Sequence, residues 1–370
     1  MKAWCLIQEI TAVSYPENGK YRRITAGVRY GFSDLRWKGD ASWFKMTNPK
    51  KFNWWYVKGG RELAQVNGSR PVQTIVNAAY SLLDKRNLIR LYERTGGEAA
   101  WNRELVNGLM FRVSASYYKR MVPVNHNDFS FSGKDEPYAA NTDLYGNYET
   151  LKEVQSTSAS FKLDASYRIG QKYESRGERK ILLGSKWPLL YASFQQAVPN
   201  IFGSDISYSQ AEAGLSDRIE LGLLGDFMYR VTAGSFLGTQ STSFIDRKHF
   251  NGNETFLIRY FASEMPYDFF FRQGRYNAMP YYSRSTFGDY LEIHAEQDFS
   301  SWIFNKIPLL RLAGLGTVAG TNILVQQSDL PYTELYVGVT NILRMLRVDF
   351  VSAYVPGQKL KPLVRIGLSL

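Results

Sequence analysis

The stretch Tyr332–Tyr354 reads YTELYVGVTNILRMLRVDFVSAY, and residues 363–370 read LVRIGLSL. In both stretches, apolar residues alternate with small or polar ones. A period of two places successive side chains on opposite faces of a β-strand. The two stretches therefore predict three strands, each with one apolar face.

The apolar face of each predicted strand is backed by a face of charged or small residues. The apolar faces comprise Leu335, Val337 and Val339, then Leu346, Val348 and Phe350, and finally Val364, Ile366, Leu368 and Leu370. The opposite faces carry Arg347 and Asp349 in the second strand and Arg365 in the third. In a closed barrel the last strand pairs with the first and no open edge is left. We expect the terminal strand to close a transmembrane β-barrel in this way.

The composition argues against a helical membrane protein and favours a barrel. Charged residues make up 21% of the 370 residues, and the mean hydropathy is −0.31. No run approaches the roughly 18 consecutive apolar residues that a spanning helix needs. Aromatic residues make up 15%, including 25 Tyr and 22 Phe, which suits a barrel with aromatic girdles at the membrane interfaces.

The net charge of +11 does not indicate nucleic-acid binding. Lys and Arg are spread over the predicted strands and loops and do not cluster with interleaved aromatic residues. Basic side chains near anionic lipid headgroups are a simpler explanation, so we expect outer-membrane lipid, and not nucleic acid, as a partner. The single Cys5 excludes an internal disulfide framework and a metal site with several cysteines.

The first nine residues, MKAWCLIQE, do not form a signal peptide, because the apolar run is short and Gln8 and Glu9 end it. A protein of the outer membrane needs an export signal. We therefore expect this chain to be the C-terminal part of a longer precursor.

Five further segments alternate clearly, over lengths close to the ~9–11 residues that cross a bilayer as a tilted strand. They are residues 22–33, 107–119, 157–168, 226–237 and 290–299. The polar faces of these and of the closing strands would line the lumen. The predicted lumen-facing residues are Arg23, Arg29, Arg112, Lys162, Asp164, Arg168, Arg230, Arg347, Asp349 and Arg365. At ~23 residues per strand and connection, residues 1–370 would form one all-β domain, an antiparallel barrel of about 16 strands within a range of roughly 14–18.

Other segments depart from these long alternating strands. Apolar residues recur at helical spacing after Pro71, at Val72, Ile75, Val76, Ala79, Tyr80 and Leu83. This spacing predicts a short amphipathic helix near residues 72–84, packed at the periplasmic rim. Alternatively, the helix covers a barrel mouth or lies in the lumen as a partial plug. Residues 120–154 form a long polar loop, which we place outside the cell. Residues 178–184 and 188–196 are predicted to be neighbouring barrel strands.

A large soluble β-protein is the alternative to a membrane barrel. Such a protein would bury the apolar faces of its sheets against each other. Long strands with charged residues on the other face fit a barrel better, because the polar faces then look into a hydrated lumen and closure satisfies the backbone.

Several segments resemble a known family. They are residues 249–257 (HFNGNETFL), 305–311 (NKIPLLR), 332–351 (YTEL through NIL to LRVDFV) and 86–93 (RNLIRLYE). They are similar to the C-terminal barrel region of Bacteroidetes-type outer-membrane proteins that carry an N-terminal carboxypeptidase-regulatory-like domain. The similarity spans most of the chain after Lys20.

The resemblance implies a barrel in a family whose function is largely uncharacterised. It also implies a precursor with a signal peptide and a small periplasmic β-sandwich before Met1. The family name refers to that accessory domain and implies no peptidase activity. Many outer-membrane barrels end in an aromatic residue, and this sequence ends in Leu370, so a C-terminal assembly signal does not transfer simply.

One cluster of side chains has the composition of a cation site. Glu292, His294, Glu296 and Asp298 alternate along one strand and would lie on one side of it, where they could converge on a metal ion or handle protons. The alternative is a lumen-facing acidic stripe paired with inward arginines. The candidates for that pairing are Arg230, Arg347 and Arg365.

The other two histidines do not favour catalysis. His126 and Asp128 lie in the polar loop, as surface residues or, alternatively, as a hydrolytic dyad. His249 precedes the turn sequence 251–253 and is predicted to be structural. Neither a Gly-x-Ser-x-Gly elbow nor a His-Glu-x-x-His motif occurs in the sequence. We predict no cofactor.

We therefore expect a non-enzymatic integral outer-membrane protein of a Gram-negative bacterium. It would serve as a pore for transport or translocation, or as an assembly scaffold, with a periplasmic or outer-membrane protein as partner. Two alternatives stay open. One is an outer-membrane enzyme that hydrolyses lipid or peptide, with residues brought together only by the fold. The other is a surface receptor that acts through loop 120–154.

Overall fold

The alternating sequence folds into a structure built almost entirely of strands. The computed structural model describes residues 5–15, 19–31, 36–123, 129–135, 138, 141, 155–255, 257–259 and 274–369. The strands in these ranges are β1 (Cys5–Ser14), β2 (Tyr21–Gly31), β3 (Arg36–Asn48), β4 (Asn53–Gln65), β5 (Leu91–Val106), β6 (Leu109–Met121), β7 (Gln155–Arg168), β8 (Lys172–Arg176), β9 (Arg179–Gly184), β10 (Leu189–Ala197), β11 (Ser207–Glu220), β12 (Asp226–Ser241), β13 (Leu257–Arg259), β14 (Tyr290–Asp298), β15 (Gly316–Gln326), β16 (Tyr332–Ile342), β17 (Leu346–Tyr354) and β18 (Lys361–Ser369). The helices are α1 (Thr74–Asp84), as predicted from residues 72–84, and α2 (Pro308–Arg311).

Sixteen of the described strands form one sheet, ordered β1 to β7, β10, β11, β12, β14 to β18 and β13. Consecutive neighbours pair antiparallel, and β13 alone runs parallel to its neighbour β18. Residues between β12 and β14 contact β6, β11, β16 and β18, which are distributed across the sheet. The sheet must therefore coil around them as a barrel. This confirms the predicted all-β antiparallel barrel of about 16 strands.

The two faces of the sheet differ as the sequence period predicts. Leu335 and Phe350 are 60% and 61% exposed, whereas Glu334 and Asp349, each one residue away, are completely buried. The outer surface is therefore apolar and the inner surface carries charges. Val364, on β18, is exposed as predicted.

The expected pairing between the last and the first strand is not found among the described residues. β18 pairs antiparallel with β17 and, over Leu257–Arg259, parallel with β13. Fifteen strands of the described sheet alternate in direction, so β1 and β18 run the same way. A pair between these two strands would therefore be parallel.

The connections differ between the two ends of the barrel. The turns after β3, β5, β11 and β16 lie at one end, which we call the short-turn end; the connections after β7 and β14 also lie there. The connections after β4, β6 and β12 lie at the opposite, long-loop end. Short turns at one end and long loops at the other are typical of outer-membrane barrels.

Two strand assignments need correction. β9 does not join the barrel: it pairs with β8 in a separate hairpin, and β7 pairs directly with β10. The hairpin turns back to the short-turn end, where Lys180 Nζ lies 2.5 Å from Glu104 Oε1. β5 was missed in the sequence because Gly96 and Gly97 interrupt its alternation.

Glycines face each other where β4 meets β5. Gly60 is paired with Gly96, and both have positive φ, at 144° and 153°. A Cβ at Gly60 would overlap the carbonyl oxygen of Gly39, and one at Gly96 would overlap that of Tyr117. Glycine in a strand often marks such close backbone approach or a bend of the sheet.

Helix α1 lies between β4 and β5, at the long-loop end, and its fully buried residues are polar ones outside the predicted apolar set. Asn77 and Ser81 are buried, whereas Ile75 is 76% exposed and Leu83 69%. The Asn77 side chain accepts hydrogen bonds from the backbone N–H groups of Leu88 and Ile89, at 2.8 and 3.0 Å. These buried N–H groups need a partner, and this need overrides the apolar periodicity.

In the described parts of the chain, neither helix is long and apolar enough to cross a membrane. Most of the predicted loop 120–154, including His126 and Asp128, lies outside the described residues. Of its described residues, 120 and 121 belong to β6, and residues 129–135 pack beside α1, where the Phe131 N–H donates to the Leu82 carbonyl at 2.8 Å.

Substituting Gly60→Ala should lower the free energy of unfolding by about 1–3 kcal/mol, because alanine at positive φ is strained and its Cβ meets the neighbouring strand. Urea unfolding followed by tryptophan fluorescence would measure this change. Gly68→Ala is the matched control, since nothing lies within 4 Å of the added carbon. Equal stability of the two variants would contradict the close approach between the strands.

Candidate functional site inside the barrel

A segment of the chain that does not belong to the barrel wall occupies the barrel interior. It comprises residues 242–255 and 274–289, the described parts of the connection from β12 to β14 flanking β13, and we call it the inner segment. Its side chains are largely buried, including Phe250, Met279 and Tyr282. Since it enters at the long-loop end, it fills the lumen from that side.

Glu334 on β16 holds the inner segment by its backbone. The carboxylate accepts hydrogen bonds from the N–H groups of Asn277, Ala278 and Met279, at 2.6, 2.7 and 3.1 Å. It also accepts from Asn322 Nδ2 at 2.8 Å and from the Tyr332 hydroxyl at 2.7 Å. Hydrogen bonds to an ionised acceptor are about twice as strong as neutral ones. A completely buried carboxylate with this number of donors therefore fixes the turn 277–279 against the wall.

Arg365 on β18 complements Glu334 by donating to backbone carbonyls of the same segment. Its Nε lies 2.7 Å from the carbonyl oxygen of Asn277, and its guanidinium also donates to that of Asn253 at 2.8 Å. The side chain points towards the inner segment. The wall therefore accepts hydrogen bonds from the N–H groups of residues 277–279 and donates hydrogen bonds to the carbonyl groups of Asn253 and Asn277.

Two buried ion pairs fix the first half of the inner segment. Arg120 on β6 makes a bidentate pair with Asp246, at 2.6 and 3.0 Å. Lys248 Nζ lies 2.5 Å from Glu212 on β11 and 3.7 Å from Glu292 on β14. Removing one partner of a buried pair leaves an uncompensated charge and costs about 3–5 kcal/mol.

The pKa of Lys248 reflects this surrounding. Burial alone would lower the pKa of the ammonium, but Tyr290, Glu212 and Glu292 beside it raise the pKa above its usual value. Lys248 therefore stays charged inside the barrel, and the Lys248–Glu212 pair persists across the physiological pH range.

Aromatic packing completes the attachment. Phe244, Tyr281 and Tyr282 of the inner segment pack with Val66 and Leu88, which lie in the connection between β4 and β5. A second cluster joins Phe250, Tyr276 and Met279 to the wall. Its wall members are Tyr290, Leu324, Tyr332 and Ala353. Burial of several aromatic side chains adds a large, less directional contribution to the polar contacts.

The proposed cation cluster is divided among separate partners. Glu292 lies 3.7 Å from both Lys248 Nζ and His294 Nε2, whereas Glu296 pairs with Arg347 at 2.8 Å and accepts from the Tyr336 hydroxyl at 2.9 Å. Asp298 accepts from the backbone N–H of Ser300 at 2.7 Å. Among the described residues, no group of three or more His, Cys, Asp or Glu side chains is placed to hold a metal ion. The geometry favours the alternative of an acidic stripe paired with basic residues.

His294, the fourth member of that cluster, is part of a hydrogen-bond chain to Glu334. Its Nδ1–H donates to Asn322 Oδ1 at 2.8 Å, and the Asn322 amide donates to Glu334. The ring also packs edge to face on Tyr276 at 4.8 Å between centroids. His294 therefore orients the group that holds the inner segment.

The other predicted lumen-facing residues are distributed around the wall and are not gathered in one site. Several form ion pairs, namely Arg29 with Asp40 (3.1 Å), Lys162 with Asp164 (3.2 Å), Arg168 with Asp217 (3.3 Å) and Arg347 with Asp349 (2.7 Å). Others lie over aromatic rings, namely Arg23 over Phe44, Arg112 over Trp54 and Arg230 over Tyr191.

The sequence interpretation missed the residues that attach the inner segment. Glu334 is the only carboxylate on the inward face of β16. The sequence interpretation considered only the apolar face of that strand. Arg120 lies at the start of the predicted loop 120–154, and Lys248 directly precedes His249, which was predicted only to be structural. The only sequence signal for this attachment was a single charged residue on the inward face of a strand. Such a residue does not identify which part of the chain it binds or through which atoms.

These features define a class of protein: a β-barrel with an apolar outer surface, whose polar lumen holds a segment of its own chain. Residues 1–339 match the C-terminal domain of a family of unknown function, DUF5686. The chain belongs to this family.

The chain is also similar to a solved structure, the crystal structure of BamA from Haemophilus ducreyi lacking POTRA domains 1–3. The two share 8% sequence identity with a TM-score of 0.47, over 98% of this chain and 70% of that one. No curated protein matches the sequence.

Replacing the central acceptor, Glu334→Gln, should release the turn 277–279. An amide oxygen cannot accept from all the donors that the carboxylate serves, and a buried unsatisfied donor costs about 1–3 kcal/mol. Hydrogen exchange at Asn277, Ala278 and Met279 should then accelerate by roughly 10- to 100-fold. Glu62→Gln, on a strand away from the inner segment, should leave these three amides unchanged. Equal exchange in parent and Glu334→Gln would show that the carboxylate does not hold this turn.

His249 predicts how stability depends on pH. Burial lowers the pKa of its imidazole to about 3, and its Nε2–H donates to the Phe244 carbonyl at 2.9 Å. In the unfolded chain the imidazole takes up a second ring proton near pH 6.5, whereas in the folded protein it stays neutral. The stabilisation of the folded state by this neutral ring is therefore present above pH 6.5 and is lost as pH falls towards 3. The slope from this group is about 1.4 kcal/mol per pH unit. Urea unfolding at several pH values should show a shallower slope for His249→Gln, and an identical slope would refute the assignment.

Proposed function

We propose that this protein is an integral outer-membrane β-barrel of a Gram-negative bacterium, formed as one barrel domain. Exposed apolar side chains recur on strands around the outer surface, including Ile24, Trp43, Val57, Phe161, Phe194, Val325, Leu335, Phe350 and Val364. Water would solvate such a continuous surface poorly, whereas lipid matches it. The charged residues lie on the opposite face, where they pair within the lumen.

We further propose that the barrel is non-enzymatic and acts as a gated pore for translocation or as an assembly scaffold, with the inner segment as its moving part. The observation that carries this proposal is the mode of attachment. The inner segment is held by side-chain contacts from Glu334, Arg365, Arg120 and Glu212. Contacts of this kind can break and re-form without unfolding the wall, whose own strands pair with each other.

The resemblance of residues 249–257 and 332–351 to Bacteroidetes-type proteins with a carboxypeptidase-regulatory-like domain supports a further part of this proposal. The barrel would work together with a small periplasmic β-sandwich; because β1 begins at the long-loop end, the chain that joins the two would cross the membrane once more. Its partners would then be outer-membrane lipid and a periplasmic or outer-membrane protein, with nucleic acid excluded.

A second candidate function is surface recognition at the long-loop end. Phe129 and Phe131 stack edge to face at 5.0 Å and are 51% and 70% exposed, next to the C-terminal end of α1, where Leu83 is also exposed. Such an apolar patch is typical of a binding surface. A receptor would keep its lumen sealed whatever happens to the contacts of the inner segment.

Conductance in a planar bilayer tests the gated pore. We expect the parent barrel to stay closed most of the time, and the double variant Glu334→Ala/Arg365→Ala to open at least about tenfold more often, since two such contacts contribute several kcal/mol. Lys162→Ala/Asp164→Ala, a pair on β7, is the control and should conduct like the parent.

Each outcome separates the candidates. A double variant that is folded and inserted, as judged by a gel-mobility shift between unheated and boiled samples, yet sealed like the parent would overturn the gated pore and favour a scaffold or receptor. Cleavage of lipid or peptide by the sealed parent would instead establish the enzyme alternative. A protein without any mobility shift, soluble in plain buffer, would refute the membrane barrel itself.

A further inference from the structure

The connection between β14 and β15 lies at the short-turn end and is not covered by the rest of the described chain. We call residues 300–314, which include α2, the rim segment. Trp302, Ile307 and Leu312 are 36%, 44% and 88% exposed. Apolar side chains in this number need a partner that is not water.

The position of Trp302 shows which side of the barrel the rim segment faces. Side chains of β14 alternate, so Phe299 follows the outward series of Ile293, Ala295 and Gln297. The Trp302 ring stacks on Phe299, with 6.5 Å between centroids. The rim segment is therefore attached to the outer surface and does not cover the lumen.

Aromatic residues of the neighbouring strand extend this outer surface. Phe227 and Tyr229 on β12 are paired with Gln297 and Ala295 of β14, and cross-strand partners share one face of a sheet. Their rings stack at 5.8 Å. Together with Trp302 they form an aromatic cluster on the outward face at the short-turn end, where a barrel meets the membrane interface.

Adjacent turns continue the apolar surface along the same end. Leu223, in the turn between β11 and β12, is 87% exposed, and Leu343, in the turn between β16 and β17, is 79% exposed. The first turn is tied to β14, since Gln297 Nε2 donates to the Leu224 carbonyl at 2.7 Å. The exposed surface is therefore continuous with the outer apolar face of strands β11 to β17.

Basic side chains lie within this apolar surface. Lys306 Nζ is 3.8 Å from the centre of the Trp302 ring, and Arg311 is also exposed. Within the described residues, no carboxylate lies within ion-pair distance of either. Exposed cations next to interfacial aromatic residues match anionic lipid headgroups.

We propose that the rim segment binds anionic phospholipid in the leaflet at the short-turn end, with the Trp302 ring at headgroup level and Lys306 and Arg311 on lipid phosphates. This inference rests on the membrane insertion proposed above. It adds a specific surface, a leaflet and a lipid class. Short turns are periplasmic in outer-membrane barrels, so the leaflet is the periplasmic one, which phospholipid headgroups form.

Fluorescence quenching by brominated lipid tests this proposal locally. The parent barrel is folded into two kinds of vesicle with the same fraction of brominated lipid. One contains brominated phosphatidylglycerol and unlabelled phosphatidylcholine, and the other contains unlabelled phosphatidylglycerol and brominated phosphatidylcholine. The signal of Trp302 is the difference between the parent and Trp302→Phe. We expect brominated phosphatidylglycerol to quench this signal more strongly than brominated phosphatidylcholine.

The same measurement on charge variants identifies the binding side chains. In Lys306→Gln/Arg311→Gln, the local preference for phosphatidylglycerol should fall by roughly fivefold for each basic side chain removed. Lys359→Gln/Lys361→Gln removes two exposed cations at the long-loop end and should keep the preference at Trp302.

The outcomes distinguish this inference from the proposed function. An inserted barrel whose Trp302 is not quenched by either lipid would overturn the interfacial position of the rim segment. Equal quenching by both lipids, or an unchanged preference in Lys306→Gln/Arg311→Gln, would overturn the recognition of anionic headgroups. Failure of the parent to insert, with no quenching of any tryptophan, would refute the proposed membrane barrel and this inference with it.

Discussion

The carboxylate of Glu334 illustrates the constraint on which the arrangement of the interior depends. A chain segment that enters a barrel lumen brings backbone N–H and C=O groups that no sheet partner satisfies. Three of these N–H groups are bound by Glu334, and a carbonyl next to them is bound by Arg365. The wall thus provides, through side chains, what a neighbouring strand would otherwise provide through its backbone.

This constraint explains why charged residues are buried on the inward face of the wall. A buried ion pair adds little net stability compared with apolar residues of the same volume, but it is costly to break on one side. Pairs such as Arg120 with Asp246 therefore specify where the inner segment lies more than they strengthen the barrel. The outer surface has the opposite character, and its apolar belt continues into the rim segment at the short-turn end.

Much of the fold follows from the sequence, because strand periodicity is a local property. The alternation of Leu335, Val337 and Phe350 with charged residues predicts both the strands and the faces that the structure shows. The inward direction of Arg365 follows from the same period. Helix α1 is also predictable from spacing, but its orientation is not, since Asn77 is buried to satisfy backbone donors eleven and twelve residues away.

The attachment of the inner segment could not be derived in this way. The contact between Asp246 and Arg120 joins residues 126 positions apart, and no periodicity relates them. The same applies to Glu334 and residues 277–279, because the donors are backbone groups, which every sequence contains. The direction of the last strand relative to the first depends on the number of alternating strands, which the period of each strand does not encode.

A charge reversal across the lumen tests the position of the inner segment most directly. Arg120→Asp and Asp246→Arg are each expected to lower the free energy of unfolding by about 3–5 kcal/mol, because each places two like charges together in a buried site. The double variant Arg120→Asp/Asp246→Arg should recover most of this loss when unfolding is measured in urea. Losses that simply add in the double variant would contradict the contact and, with it, the placement of the inner segment inside the barrel.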